Sequence, residues 1–337
     1  MKVRIWFNHW FSAVYQIIRM MREGCAEELE VIGSNRREST VYKCQCDEWY
    51  VEPDKIDDAA YVDYCLDFCR EHRIDVFVPR RGLTEIAAQA ERFEAAGVKL
   101  LVGVQGEMVR RLDDKIAAYE LLRQSVPECI PVCRVANSLA EFEAACQELT
   151  ADGSRVCYKL GVDEGARSFR VVDDRVLQPR ALYEKPGFKL TLEQARTVLA
   201  QYDFSIPVLL MPYLEGPEIS VDCMQCPDRK LIIPRYKMAG RYSEIRFDED
   251  VLALSARLMD AVGADLPVNI QFRMHGGQLY LLEINPRMSG GVQLSCEATG
   301  INLPAIALNQ LLGHATPWQQ PEGVSRVAHV EKPVRLV

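Results

Sequence analysis

The chain lacks any apolar run near the 18 or more residues that a membrane-crossing helix needs. Its start, MKVRIWFNHWF, has too short an apolar stretch for a secretory leader and no small-residue cleavage site. The expectation is a cytoplasmic protein whose twelve cysteines are reduced thiols. Histidine is scarce, five in 337 residues. One Cys223-x-x-Cys226 and one Cys44-x-Cys46 do not make up the four converging ligands of a zinc site. Those cysteines read as structural. There is no basic excess either: the net charge is -8, which argues against a nucleic-acid surface and its clustered positive charge. Internal repeats and low-complexity tracts are absent. The first strand-to-helix turn, NHWFSA, is not a GxGxxG cradle, so an ordinary dinucleotide site is not expected there.

What remains, at 48% hydrophobic and 26% charged residues, is the composition of a globular enzyme or small-molecule binder. VRIWF (3–7), LEVIG (29–33), DVFVP (75–79) and VKLLVG (98–103) read as strands. They alternate with helical patterns over 13–22, 61–72 and 83–96, as in a parallel sheet covered by helices. Residues 1–106 are therefore expected to form an open α/β domain. Ligands of such sheets sit beyond the strand carboxyl ends. There the sequence places His9, Ser12, Arg80 and Arg81, which suit a carboxylate or phosphate or are ordinary loop polarity. From about 107 the character changes. A helix is expected over 112–124, an α+β segment with strands at 155–160 and 168–172 around the loop GVDEGAR, a helix over 191–202, and strand VLLMPYL (208–214). ISVDCM, KLIIPRY, a helix over 248–262 and a hairpin over 268–285 follow, and the tail after about 316 reads as peripheral.

The hairpin VNIQFRMHGGQLYLLEIN carries an oddity. Side chains alternate faces along a strand, yet Glu283 and Asn285 recur at every second position of an apolar strand, with Arg287 just beyond it. Asn269, Gln271 and Arg273 do the same on its partner. Burying such groups without partners is costly, so one shared polar face is expected. That face requires a three-residue loop, Gly276-Gly277-Gln278, rather than a two-residue turn. Amide and carboxylate oxygens of Gln271, Glu283 and Asn285 are hard donors suited to Mg²⁺. Arg287 would then lie beside a transferring phosphoryl group. A polar edge stripe facing solvent is the plainer alternative.

The stretch NIQFRMHGGQLYLLEINPRMSGGVQLSCEATGINLPAIALNQLLG (269–313) resembles the ATP-grasp superfamily, most closely the ATP-grasp units of the carbamoyl-phosphate synthase large subunit. A weaker match runs from Asp114-Lys115 through Tyr158-Lys159 to LLMPYLEGPEISVD (209–222). The resemblance implies a pre-ATP-grasp α/β domain (1–106), then an ATP-grasp domain (107–337). The latter would have a lid at about 125–208 and an antiparallel, metal-binding subdomain at about 209–320. It implies that Lys115 and Lys159 hold ATP phosphates, with Ser168 in the mobile loop over them. Met211, Pro212, Tyr213 and Leu214 would line the adenine, and Glu218 would accept from the ribose. Gln271, Glu283 and Asn285 would hold Mg²⁺ (or Mn²⁺), with Arg287 and Arg241 in catalytic positions. Arg235 and Lys237 are further candidates beside Arg241 for stabilising the intermediate; all three lie beyond strand KLIIP, where ordinary surface groups are the equal alternative. Ser289 and Gly290 join His9, Ser12, Arg80 and Arg81 as substrate candidates.

The activity so implied is ATP-dependent ligation. A small carboxylate attacks the γ-phosphate, and an amine or thiol displaces phosphate from the acyl phosphate. A carboxylate or carbamate kinase and a non-catalytic ATP-binding regulator are the alternatives. A homodimer through the N-terminal domain is carried over by analogy alone.

Overall fold

The computed structural model describes residues 2–163, 165–176, 179 and 187–336. Residue 164 of the expected phosphate loop, and residues 177–178 and 180–186 of the expected lid, lie outside the described residues. The chain gathers into two compact units. Unit 1 holds residues 1–110, 217–271 and 284–337, and unit 2 holds 111–216 and 272–283.

Unit 1 begins with β1 (Val3–Asn8), α1 (Val14–Gly24), β2 (Leu29–Asn35), β3 (Glu48–Val51), α2 (Asp58–Glu71), β4 (Val76–Val78), α3 (Leu83–Ala88), α4 (Ala90–Ala95) and β5 (Lys99–Leu100). The strands form a parallel sheet in the order β3-β2-β1-β4-β5. The helix expected over 83–96 breaks at Gln89 into α3 and α4. Alternation along β1 and β4 sends Trp6 and Phe77 to one face, where they stack on each other at 4.1 Å and Trp6 stacks on Phe68 at 4.3 Å. Ile5, Phe7, Val76 and Val78 belong to the other core, with α1. A short helix, α5 (Gly106–Asp113), follows. The helix expected over 112–124 starts only after Asp114, whose carboxylate caps α6 (Lys115–Leu122) by accepting from the Ile116 and Ala117 amides.

Unit 2 continues with β6 (Arg134–Ala136), α7 (Leu139–Leu149), β7 (Val156–Leu160), β8 (Arg170–Val172), β9 (Lys189–Leu190), α8 (Leu192–Leu199) and β10 (Val208–Pro212). Ser138 caps α7, and a Thr191/Gln194 capping box opens α8. The five strands lie in the order β6-β10-β7-β8-β9, and α7 and α8 cover a core of Phe142, Val156, Tyr158, Leu199, Val208 and Leu210.

The remaining elements are β11 (Glu218–Gln225), β12 (Lys230–Lys237), β13 (Tyr242–Ile245), α9 (Glu249–Val262), β14 (Val268–His275), β15 (Gln278–Asn285), α10 (Val292–Thr299), α11 (Leu303–Leu312) and β16 (Ser325–Ala328). Their sheet runs β15-β14-β11-β12-β13-β16. The tail is thus less peripheral than expected, because β16 pairs antiparallel with β13 and extends the sheet. Within unit 1, Ile233, Ile245, Met288 and Val292 share one core with Ile5, Phe7 and α1.

The hairpin corrects the expected three-residue loop. β14 ends at His275 and β15 opens at Gln278, leaving a two-residue Gly276-Gly277 turn. Both glycines have positive φ, 58° and 81°, as a tight primed turn requires. The polar phase changes further along β15 instead. Leu279, Leu281 and Ile284 are buried, and the last two are three residues apart, so the alternation slips by one between them. The Tyr119 hydroxyl reaches the carbonyl oxygens of both Leu281 and Leu282, each at 3.0 Å. Adjacent carbonyls of a regular strand point opposite ways, so this is the mark of a β-bulge. Beyond it Ile284 is buried as Ile270 is, and Asn285 takes the half-buried phase that Gln271 holds.

Among the described residues no helix is long and apolar enough to cross a membrane. All twelve cysteines are free thiols. Burial pushes Cys46 and Cys157 up to about 12, which leaves them inert at neutral pH.

Candidate functional site

Unit 2 brings two of the expected phosphate-binding groups together. Lys115, at the first position of α6, is 5% exposed, an unusual depth for a lysine. Its ammonium donates to the backbone oxygens of Asp163 (2.6 Å) and Asp113 (3.2 Å). Lys159, on β7, donates to the Leu282 oxygen at 3.3 Å, one of the carbonyls at the bulge. Burial holds the Lys159 pKa below its ordinary value, and the charge of Lys115 pushes the same way. Glu283 opposes both by favouring the charged form. Ser168 closes the loop beneath them. Its hydroxyl and amide donate to the Asp163 carboxylate at 2.6 and 2.8 Å, and its oxygen accepts from the Leu160 amide. Gly165 and Ala166 both have positive φ in this loop, 65° and 56°. Of the hinge residues, Met211 and Leu214 are buried while Pro212 and Tyr213 are half-buried. The Arg155 guanidinium lies 4.7 Å over the Tyr213 ring.

Unit 1 holds the rest of the expected set except Glu283, which falls in unit 2. Glu218, the expected ribose acceptor, forms an ion pair with Lys237 across β11 and β12. Arg241 is exposed in the turn before β13 with φ 66°. Arg287 donates to the Asn285 side-chain oxygen at 3.2 Å, a placement that tethers the guanidinium one turn from the strand end. Gln271 donates to the Asn269 oxygen at 3.2 Å. In unit 1, Gln271 and Asn285 each offer an amide oxygen, a hard donor. That chemistry fits Mg²⁺, which keeps water and phosphate in its shell. Among the described residues no three His, Cys, Asp or Glu side chains gather as a metal cluster.

Of the two readings left open for Arg235, the surface one is excluded. It is 4% exposed and lies 3.8 Å from Asp222, itself 2% exposed. Ser220, Ser295 and Asn269 complete this buried polar network in unit 1. The signal was present, since ISVDC on β11 alternates Ser220 and Asp222 with apolar residues just as β15 does with Glu283 and Asn285.

Also within unit 1, β1 and β4 are neighbours, and the chain leaves them toward opposite edges of the sheet. This is the switch point where open α/β sheets leave a crevice. The Phe11 ring centre lies there 5.8 Å from the guanidinium carbon of Arg80 and 5.5 Å from that of Arg287, with Gly290 near its edge. The buried His9 Nδ1 has no hydrogen-bond partner among the described residues, and burial lowers the ring's pKa. Arg81 serves another purpose. It pairs with the buried Glu52 at 3.1 Å and lies 4.0 Å over Tyr61. The Ser289 hydroxyl accepts from the Gly291 amide, and Ser12 is exposed.

Residues 205–333 match the family model described as an ATP-grasp in the biosynthetic pathway with the Ter operon. The chain is 24% identical over 320 residues to the arginine-specific large chain of carbamoyl phosphate synthase of Geobacillus stearothermophilus. That match covers 90% of this chain and 28% of the relative, so the chain spans little more than a quarter of the curated relative's length. Among solved structures, it superposes on an N5-carboxyaminoimidazole synthetase from Staphylococcus aureus complexed with ADP. There the TM-score is 0.69 at 12% identity, covering 94% of this chain and 79% of that one. An L-amino acid ligase from Bacillus licheniformis gives a TM-score of 0.66 at 17% identity, covering 92% and 74%.

Proposed function

From a chain with the ATP-grasp fold, we propose an ATP-dependent ligase that joins a small carboxylate to an amine or thiol. The observation that carries this reading is the pair Lys115 and Lys159 in unit 2. Two ammonium groups, one buried and one with its pKa depressed by burial, are brought close enough that the charge of Lys115 disfavours that of Lys159. A polyphosphate supplies the negative charge that makes both favourable. Gln271, Glu283 and Asn285 would hold Mg²⁺ (or Mn²⁺), which when bound offsets charge on the transferring phosphate. Ser168 and its loop close over the phosphates, Met211 to Leu214 flank the base, and Glu218 exchanges Lys237 for the ribose.

The substrate carboxylate is assigned to the switch point, beside His9, Arg80 and Arg287. Arg287 also serves the phosphoryl group, since the acid and the γ-phosphate must meet for the first bond to form. Carboxylate oxygen attacks the γ-phosphorus and ADP leaves. The nucleophile then adds to the acyl carbon and phosphate departs. Exclusion of water from the acyl phosphate is the fold's remaining task. The neighbouring ligases and the carbamoyl phosphate synthase relative support this chemistry by similarity.

The test is ADP release with pooled small carboxylates, with and without amino acids. Release that depends on the amine confirms the ligase. Release with carboxylate alone makes the protein a kinase, and ATP binding without turnover makes it a regulator.

Lys159→Met gives a second measurement. Losing a hydrogen bond from a charged donor costs about 1.5–3 kcal/mol, so ATP affinity should fall about 10- to 100-fold. The free protein should melt no lower than the parent, because the substitution removes a desolvated charge. The pH dependence follows from sign. The folded pKa of Lys159 lies below its ordinary 10.5, so between the two values the unfolded chain binds more protons. Free-protein stability therefore rises with pH across that window, whereas ATP affinity falls as the ammonium is lost. Both trends should flatten in Lys159→Met, measured by thermal melts with and without ATP.

A further inference from the structure

Asn269 is fully buried on β14, two residues before Gln271. We infer that Asn269 is a positioning residue that dictates which end of the Gln271 amide is offered to the metal. The inference rests on the proposed role of Gln271 as a ligand.

The two ends of a side-chain amide are nearly the same size, and only hydrogen bonding distinguishes them. For Asn269 the bonds do so without ambiguity. Its nitrogen lies 3.2 Å from the Val221 backbone oxygen and 3.0 Å from Asp222 Oδ1, and a backbone carbonyl can only accept. Ser220 Oγ lies at 3.0 Å from the same nitrogen. Asp222 is itself held in place, accepting from the Ser295 hydroxyl at 2.6 Å with Arg235 beside it at 3.8 Å. Turning Asn269 over would set its oxygen against two acceptors. The Asn269 oxygen is therefore fixed toward Gln271, and only the nitrogen end of Gln271 can answer it, as it does at 3.2 Å.

The consequence falls on the other end of Gln271. With Nε2 committed to Asn269, Oε1 is the free terminus, and an amide oxygen ligates a hard cation where an amide nitrogen repels one. A glutamate at this position would need no such guidance, because its two carboxylate oxygens are equivalent. The chain Arg235–Asp222–Asn269–Gln271 is how a neutral ligand is given a defined polarity from the core outward.

The experiment compares Asn269→Leu, Gln271→Glu, Gln271→Leu and the double variant Asn269→Leu/Gln271→Glu in the full chain. Mn²⁺ affinity is read in the presence of ADP by water-proton relaxation, which needs no turnover. Loss of a group that orients a ligand costs about 10- to 100-fold in metal affinity, and that is expected for Asn269→Leu with Gln271 present. In the Gln271→Glu background the same substitution should change Mn²⁺ affinity less than about 3-fold, within the context dependence of such contributions. An equal loss in both backgrounds, or none in either, overturns the inference. If Gln271→Leu leaves Mn²⁺ affinity unchanged, the ligand assignment itself falls. Should Asn269→Leu fail to fold, Asn269→Ser, too short to reach Gln271, carries the same comparison.

Discussion

Glu283→Gln is expected to abolish ADP release while leaving the melting temperature within about 2 °C of the parent, as for a substitution outside the core. The drop in kcat/KM should be about 10³-fold or more, corresponding to roughly 4 kcal/mol of lost transition-state stabilisation. Two effects add. Glu283 is the one charged donor in the proposed set of Gln271, Glu283 and Asn285, so an amide there leaves a divalent cation with no formal anion from the protein. Glu283 is also the strongest of the groups that favour the charged form of Lys159 against burial and the field of Lys115. With it gone, the ammonium deprotonates at lower pH, and any residual activity should fall off earlier as pH rises. The fold is expected to survive because Glu283 is half-buried, on the far side of the bulge from the Leu279 and Leu281 core positions. ADP release measured from pH 6 to 10, beside a thermal melt, checks both parts. Unchanged turnover would remove Glu283 from the site.

Much of this was legible in the chain because its signals are local. Parallel strands announce themselves by short apolar runs with helices between, and β1, β2 and β4 fall where VRIWF, LEVIG and DVFVP stand. The polar stripe on β15 was legible for the same reason. Its register was not, because the phase depends on a bulge near Leu282, and that bulge is marked by Tyr119, more than 160 residues earlier in the chain. The buried pairing of Arg235 was not legible for a related reason. A basic residue near a strand end reads as solvated until its partner is known, and Asp222 becomes its partner only when β11 lies beside β12. Phe11 carried no chemical signal in the sequence. It gains a role only because Arg80 and Arg287 both come to its ring. Arg81 illustrates the reverse. The sequence could not separate it from Arg80, yet in the fold Glu52 and Tyr61 hold Arg81 at the sheet's end.

Arg235→Met is expected to produce the largest loss of stability of any single substitution in unit 1's polar core. Removing one partner of a buried ion pair costs about 3–5 kcal/mol, since the other charge is left uncompensated. For a chain of this length that corresponds to a fall of roughly 5–10 °C in melting temperature. Asp222 would retain bonds from Ser295 and Asn269, both neutral donors, which offset only part of the charge. The cause can be isolated by a second substitution. Arg235→Met/Asp222→Asn removes the stranded charge and should recover about half of the loss, whereas two independent contributions would add. A double variant less stable than Arg235→Met alone would refute the uncompensated-charge account. Gly291→Ala probes the same site without deleting any charge. A Cβ at Gly291 would lie 2.5 Å from the Arg235 Nη2 and 2.8 Å from its Cζ, so the guanidinium, the flexible end of its side chain, must shift at the start of α10. It should therefore lose less stability than Arg235→Met, about 1–3 kcal/mol as for overpacking a filled site, by shifting the arginine rather than removing it. Because Asp222 anchors the bonds that orient Asn269, both variants should also weaken Mn²⁺ binding, in proportion to how far Asp222 moves. Chemical denaturation for the stability term, and Mn²⁺ relaxation on the folded fraction for the second, separate a weakened core from a misdirected ligand.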